Sequence, residues 1–104
     1  MHREAILSSR AGHTALTRGF TGRLARGIDN ELLQTLNQPG AEILPYPLQR
    51  ALMRNLALPA QKASRAELLA LWAGQSANLA RCHGIPELLQ FLVEGAAKRI
   101  NPVE

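Results

Sequence analysis

Few residues in this 104-residue chain could do chemistry, and their spacing is unhelpful to most mechanisms. His2, His13 and His83 are scattered, and none has a partner at metal-ligand spacing. Each therefore reads as a surface histidine. Cys82 lies between Arg81 and His83, which would lower a thiol pKa, yet a small side chain at a helix end is the simpler reading. No Ser-His-Asp or Cys-His-Asn set can be assembled. Neither a Walker loop nor G-x-G-x-x-G is present, so the chain has no recognisable phosphate cradle of its own. Arg23 and Arg26 in G-R-L-A-R could steer an anion or brace the fold through carboxylates and carbonyls, and the second use is favoured.

Composition narrows the setting. The net charge is +4, and ten of the twelve basic residues are arginine. Arginine forks onto phosphate, but these cations are dispersed, and with only 4% aromatic residues there is little to stack bases on. Nucleic acid is thus not an expected partner. A single cysteine forbids an internal disulfide, and no stretch approaches the length of a membrane span, so a cytoplasmic protein with no membrane contact is expected.

The elements that must position these residues read as mainly α with one short strand. Thr14 to Phe20 alternates weakly and carries two threonines, as a strand would. Gly19, Gly22 and Gly27 then mark a turning segment. Ile28 to Leu36 reads as a short helix capped by Asp29 or Asn30, with Ile28, Leu32, Leu33 and Leu36 inward. A second helix opens near Pro47, with Leu48, Ala51, Leu52 and Leu56 on one face and Arg50 and Arg54 on another. Pro59 stops or bends it. Ser64-Arg65-Ala66-Glu67 has the form of a capping box, predicting a third helix with Leu68, Leu69 and Trp72 inward. Gly74 would break that helix, leaving residues 75–81 as a separate one. A last helix opens at Gly84 and carries the stripe Ile85, Leu88, Leu89, Leu92, Val93, Ala96 and Ile100, with Lys98 and Arg99 at its C-terminal end.

Three blocks occur in order: T-A-L-T-R-G-F-T-G-R-L-A-R-G-I-D-N at residues 14–30, Y-P-L-Q at residues 46–49 and L-W-A-G-Q at residues 71–75. Over roughly Glu4 to Ala97 the sequence resembles the C-terminal portion of the nitronate monooxygenase (2-nitropropane dioxygenase) family. Such enzymes use FMN on a TIM barrel that carries a smaller second domain. A barrel needs at least about 200 residues, so the resemblance implies a C-terminal piece of a TIM-barrel flavoenzyme and not a complete barrel. It implies that residues 1–13 are the tail of a barrel loop, with Glu4-Ala5 near the end of the last barrel strand. Residues 14–72 would form the small second domain, and residues 73–104 would return to the barrel.

It further implies oxidation of alkyl nitronates with dioxygen to carbonyl compounds and nitrite. The phosphate site and the catalytic histidine would precede Met1, so no residue here is expected to be catalytic, and His13 is not promoted to that role. Relatives in the same superfamily reduce quinones or enoyl thioesters. Gly74 and Gln75 are the expected FMN contacts, because Gly permits close backbone approach and Gln offers a donor and an acceptor to a ring edge. The same pair reads equally well as a helix break capped by an amide. Taken alone, the piece is expected to be inactive and to expose the apolar stripe of its last helix, with self-association as a consequence. The alternatives are a small basic helical module binding nucleic acid or a protein, and a gene remnant without activity.

Overall fold

The computed structural model describes residues 1–81 and 84–100. Cys82 and His83 lie outside the described residues, as does the expectation about their side chains. Among the described residues four α-helices, α1 (His2–Ile6), α2 (Glu31–Leu36), α3 (Leu48–Lys62) and α4 (Ile85–Ile100), accompany a two-stranded antiparallel sheet. The molecule is mainly helical, as expected, but it has a second strand.

Strand β1 (Thr14–Thr17) lies within the predicted segment. Its partner β2 (Ala25–Ile28) falls in the stretch read as a turn, and Thr14 faces Ile28 while Thr17 faces Ala25. Local sequence does not favour a strand there, because a glycine in a strand interior weakens it. Pairing on both sides supplies what propensity lacks. Beyond β1, the other edge of β2 is held by residues 71–73: Ile28 N donates to Leu71 O at 2.8 Å, and Ala73 N donates to Arg26 O at 3.2 Å. Gly27 is required for this closeness, since a Cβ there would stand 2.7 Å from the Phe20 ring and 3.0 Å from Leu71 O. Gly22 has a different task. Its φ is +100°, a conformation that favours glycine, and it turns the chain directly beneath the backbone of residues 44–46.

Helix α2 begins as expected, with Asn30 as its cap. Asn30 Oδ1 accepts from Leu33 N at 3.0 Å, while Nδ2 donates to Leu69 O at 2.9 Å and Ala66 O at 3.2 Å. One buried amide therefore starts a helix and anchors a distant segment. Ile28, assigned to that helix by its spacing, lies instead in β2 and is fully buried.

Helix α3 opens just after Pro47, but it is rotated from the expected face. Leu48, Ala51 and Leu52 are exposed; Gln49 and Ala60 are buried, with Met53 and Leu56 packed inward. The reason is Gln49, whose Nε2 donates to Gly19 O at 2.9 Å and whose Oε1 accepts from Leu44 N at 3.0 Å. Two backbone groups would otherwise lack these partners, and an unmet buried group costs about 1–3 kcal/mol. Pro59 does not stop the helix, which runs on to Lys62.

The capping box does not form. Ser64 adopts φ +53° and serves as the left-handed residue ending α3, with Ser64 N donating to Gln61 O and Arg65 N to Ala60 O, the Schellman pattern. A residue in that conformation cannot also be an N-cap, which needs an extended backbone. Glu67 turns elsewhere: its carboxylate accepts from Glu31 N at 3.0 Å in the first turn of α2 and pairs with Arg10. A single 3-10 turn, Ala66–Leu68, replaces the predicted third helix, and Leu69 to Trp72 run extended. The expected helix over residues 75–81 is likewise reduced to a 3-10 turn at Ala77–Leu79.

The extended run alternates, as a strand-like segment must. Leu69 and Leu71 join Ala5, Ile28 and Ala60 in one cluster, while Ala70 packs against the other, formed by Phe20, Leu32 and Leu33. The N-terminal residues, which show no period in sequence, form α1 and a 3-10 turn at Ser9–Gly12. They contribute Ala5 and Ala11 to the interior. Glu4 and Ala5 thus lie in a helix.

Helix α4 forms as the stripe predicts, yet none of its residues is buried. Leu88 is 43% exposed and Ile100 75%. The helix, about 24 Å long, gives the molecule extents of 59 × 26 × 23 Å and a radius of gyration of 17.1 Å. A compact chain of this size has a radius of gyration near 13 Å, or about that.

Two expectations for stability follow. Asn30→Ala removes the cap and leaves two carbonyls without their donor, and lowers stability by about 2–4 kcal/mol in urea unfolding; a loss below about 0.5 kcal/mol contradicts the anchoring role. In the same assay Leu33→Ala costs about 2–5 kcal/mol, whereas Leu88→Ala changes stability by less than about 0.5 kcal/mol. Equal losses would mean that α4 is packed, not exposed.

Candidate functional site

The pairing of residues 71–73 with β2 decides where Gly74 and Gln75 stand. Gly27 and Trp72 form the bridge, and the chain leaves the sheet edge immediately afterwards. Gly74 O accepts from Ala77 N at 3.1 Å, so the chain turns here. A Cβ at Gly74 would meet nothing within 4 Å, and Gln75 is exposed. The segment before them is extended, so Gly74 breaks no helix. The following 3-10 turn has no side-chain cap, so Gln75 does not serve as its cap either. What remains is an open backbone surface with an uncommitted carboxamide beside it, able to donate to and accept from a planar heterocycle.

The arginines of G-R-L-A-R are structural braces, though not through carboxylates. The Arg23 guanidinium lies 4.0 Å from the centroid of the Tyr46 ring. This cation–π contact, worth about 0.5–1 kcal/mol at an exposed site, ties the first sequence block to the second. Arg26 Nη1 donates to Thr14 Oγ1 at 3.0 Å across the hairpin. Tyr46 and Pro47 are joined by a cis peptide.

His2 has a partner that sequence spacing cannot indicate. Its Nε2 is 2.7 Å from Trp72 O. A carbonyl only accepts, so Nε2 carries the proton and donates, tying α1 to the segment that precedes Gly74. His13 is exposed. Among the described residues no group of three potential ligands could hold a metal ion, and no helix is long and apolar enough to cross a membrane.

Trp72 was expected inward, but it is 45% exposed. Its ring meets Phe20 edge-on, with centroids 5.3 Å apart and planes at 63°. The two rings border a cleft of about 170 Å³ whose other walls include Leu32, Met53, Arg50 and Arg54. Helical spacing does not indicate this cleft, because the expected third helix, which would turn Trp72 inward, does not form, and because Met53 rather than Leu48 or Leu52 of α3 turns inward.

Comparison with known proteins converges on one family. The family model for nitronate monooxygenase matches residues 1–95. A probable nitronate monooxygenase of Staphylococcus aureus (strain Newman) is 37% identical over 91 residues, covering 88% of this chain and 26% of that protein. One of Staphylococcus haemolyticus is 36% identical over 92 residues, again covering 88% of this chain and 26% of that protein. Among solved structures, nitroalkane oxidase from Streptomyces ansochromogenes superposes with a TM-score of 0.78 at 35% identity, covering 93% of this chain and 27% of that one. The chain thus spans about a quarter of the length of these relatives. With the family model matched from Met1 to Gly95, the chain belongs to the nitronate monooxygenase family.

Proposed function

We propose that this chain is the second domain and returning segment of an FMN-dependent oxidoreductase that converts alkyl nitronates and dioxygen into carbonyl compounds and nitrite. Family membership supports the reaction class, and the similarity to a nitroalkane oxidase structure agrees with a small nitro-compound substrate. The observation that carries the site is the open segment at Gly74-Gln75, held by the pairing of residues 71–73 with β2.

The residues present fit a flavin ring edge but not its phosphate. Gly74 leaves space for a flat surface, and the exposed Gln75 amide can meet a ring nitrogen or carbonyl. When bound, FMN supplies an acceptor for one electron from the nitronate and a donor of one electron to dioxygen. The role of this chain is to orient and enclose, and no residue in it is assigned as catalytic.

In the same reading, residues 1–13 are the tail of a barrel loop, residues 14–72 the second domain and residues 73–104 the return to a TIM barrel. The apolar face of α4 supports this division, since several large aliphatic side chains stand open, each forgoing about 1.5–3 kcal/mol of burial. With that face uncovered, the chain by itself self-associates. The basic-module alternative draws less support, because Arg10, Arg23, Arg26 and Arg65 are each held by a partner within the fold.

Two measurements test the proposal. The isolated chain, lacking a phosphate cradle, binds FMN only weakly in a fluorescence or calorimetric titration; stoichiometric sub-micromolar binding would overturn the division of labour. In an enzyme where this segment is joined to a barrel, Gln75→Ala lowers turnover by up to about tenfold or shifts the flavin spectrum, the scale of one neutral hydrogen bond. An unchanged spectrum and rate would remove Gln75 from the site.

A further inference from the structure

The cleft beside Trp72 is not part of the flavin-facing segment, for its walls include neither Gly74 nor Gln75. Its floor is apolar, built from Phe20, Leu32 and Met53, and the half-open Trp72 indole forms one side. Arg50 and Arg54 reach it from α3. Four residues apart on a helix, they lie on one face about 5–6 Å apart at Cβ.

Both arginines are exposed, and neither has a hydrogen bond or ion pair among the described residues. By contrast Arg10, Arg23, Arg26, Arg65 and Arg99 are each engaged. Two like charges at this spacing repel slightly on a helix, and a shared anion removes the repulsion. No aspartate or glutamate contributes to the walls of the cleft. Apolar floor, aromatic wall and paired cations together are complementary to one kind of molecule.

We propose that this cleft binds a small amphipathic anion, a carboxylate on a short aliphatic or single-ring body, with the anion on Arg50 and Arg54 and the body against Phe20, Met53 and Trp72. Size limits the occupant. The cleft's 170 Å³ is well below the roughly 300–1,000 Å³ of sites for drug-sized ligands, so a nucleotide does not fit within it.

Trp72 is the sole tryptophan, so its emission reports on the cleft directly. Benzoate titrated into the full 104-residue chain should change Trp72 emission saturably, with benzyl alcohol binding at least about tenfold more weakly. Arg50→Gln combined with Arg54→Gln should weaken benzoate by about tenfold or more while circular dichroism stays unchanged, because both side chains are exposed. Ala57→Leu, which places bulk in the cleft wall and leaves both arginines in place, should abolish the response. Equal binding of benzyl alcohol, full retention of benzoate affinity in the folded double variant, or no saturable response would each overturn the proposal. None of these measurements involves flavin, so their failure leaves the assignment of Gly74-Gln75 standing.

Discussion

The bare backbone at Gly27 is the constraint on which the rest of the structure depends. Because no side chain stands there, the Phe20 ring can lie against β2 while residues 71–73 pair along its other edge. Those two contacts bring the clusters around Ile28 and around Phe20 to opposite sides of one short extended segment. They also set the path by which the chain leaves the sheet at Gly74. Structure and candidate site are thus joined through a position whose contribution is the absence of atoms.

Two buried amides complete the assembly in place of a larger core. Asn30 and Gln49 are 2% and 1% exposed, and each donates to a backbone carbonyl far along the chain while accepting from a backbone N–H close by. In an interior built mostly from leucine and alanine, such bonds specify register where apolar packing alone would tolerate sliding. Glu67 works similarly from the surface, capping α2 and pairing with Arg10. The three sequence blocks on which the resemblance to nitronate monooxygenases rests therefore contain much architecture: Gly22, Arg23 and Gly27 in the first, Tyr46 and Gln49 in the second, and Leu71 and Trp72 in the third.

Helix α4 differs in kind. The remainder of the fold holds all of the buried apolar residues described, while α4 leaves its whole stripe open over 16 residues. Its helical form is a local property, but its face has meaning only for whatever covers it. That contrast agrees with a family relationship in which this chain matches about a quarter of the length of its relatives.

By itself the sequence determined the local elements whose signals are short-range: the first strand, the Asn30-capped helix, the opening of α3 after Pro47 and the long amphipathic α4. Its three ordered blocks also determined the family. Tertiary structure alone decided β2, because a glycine-bearing strand is stabilised by partners on both edges and not by its own propensity. It decided which face of α3 turns inward, because Gln49 meets two buried backbone groups that no hydropathy pattern registers. It also undid the capping box, since Ser64 is claimed by the end of the preceding helix and Glu67 by the start of another. The cleft at Trp72 followed from those same decisions. A side chain's hydrogen-bond partner is chosen by what lies near it in space, and for Asn30, Gln49 and Glu67 that choice spans intervals of chain which periodicity does not carry.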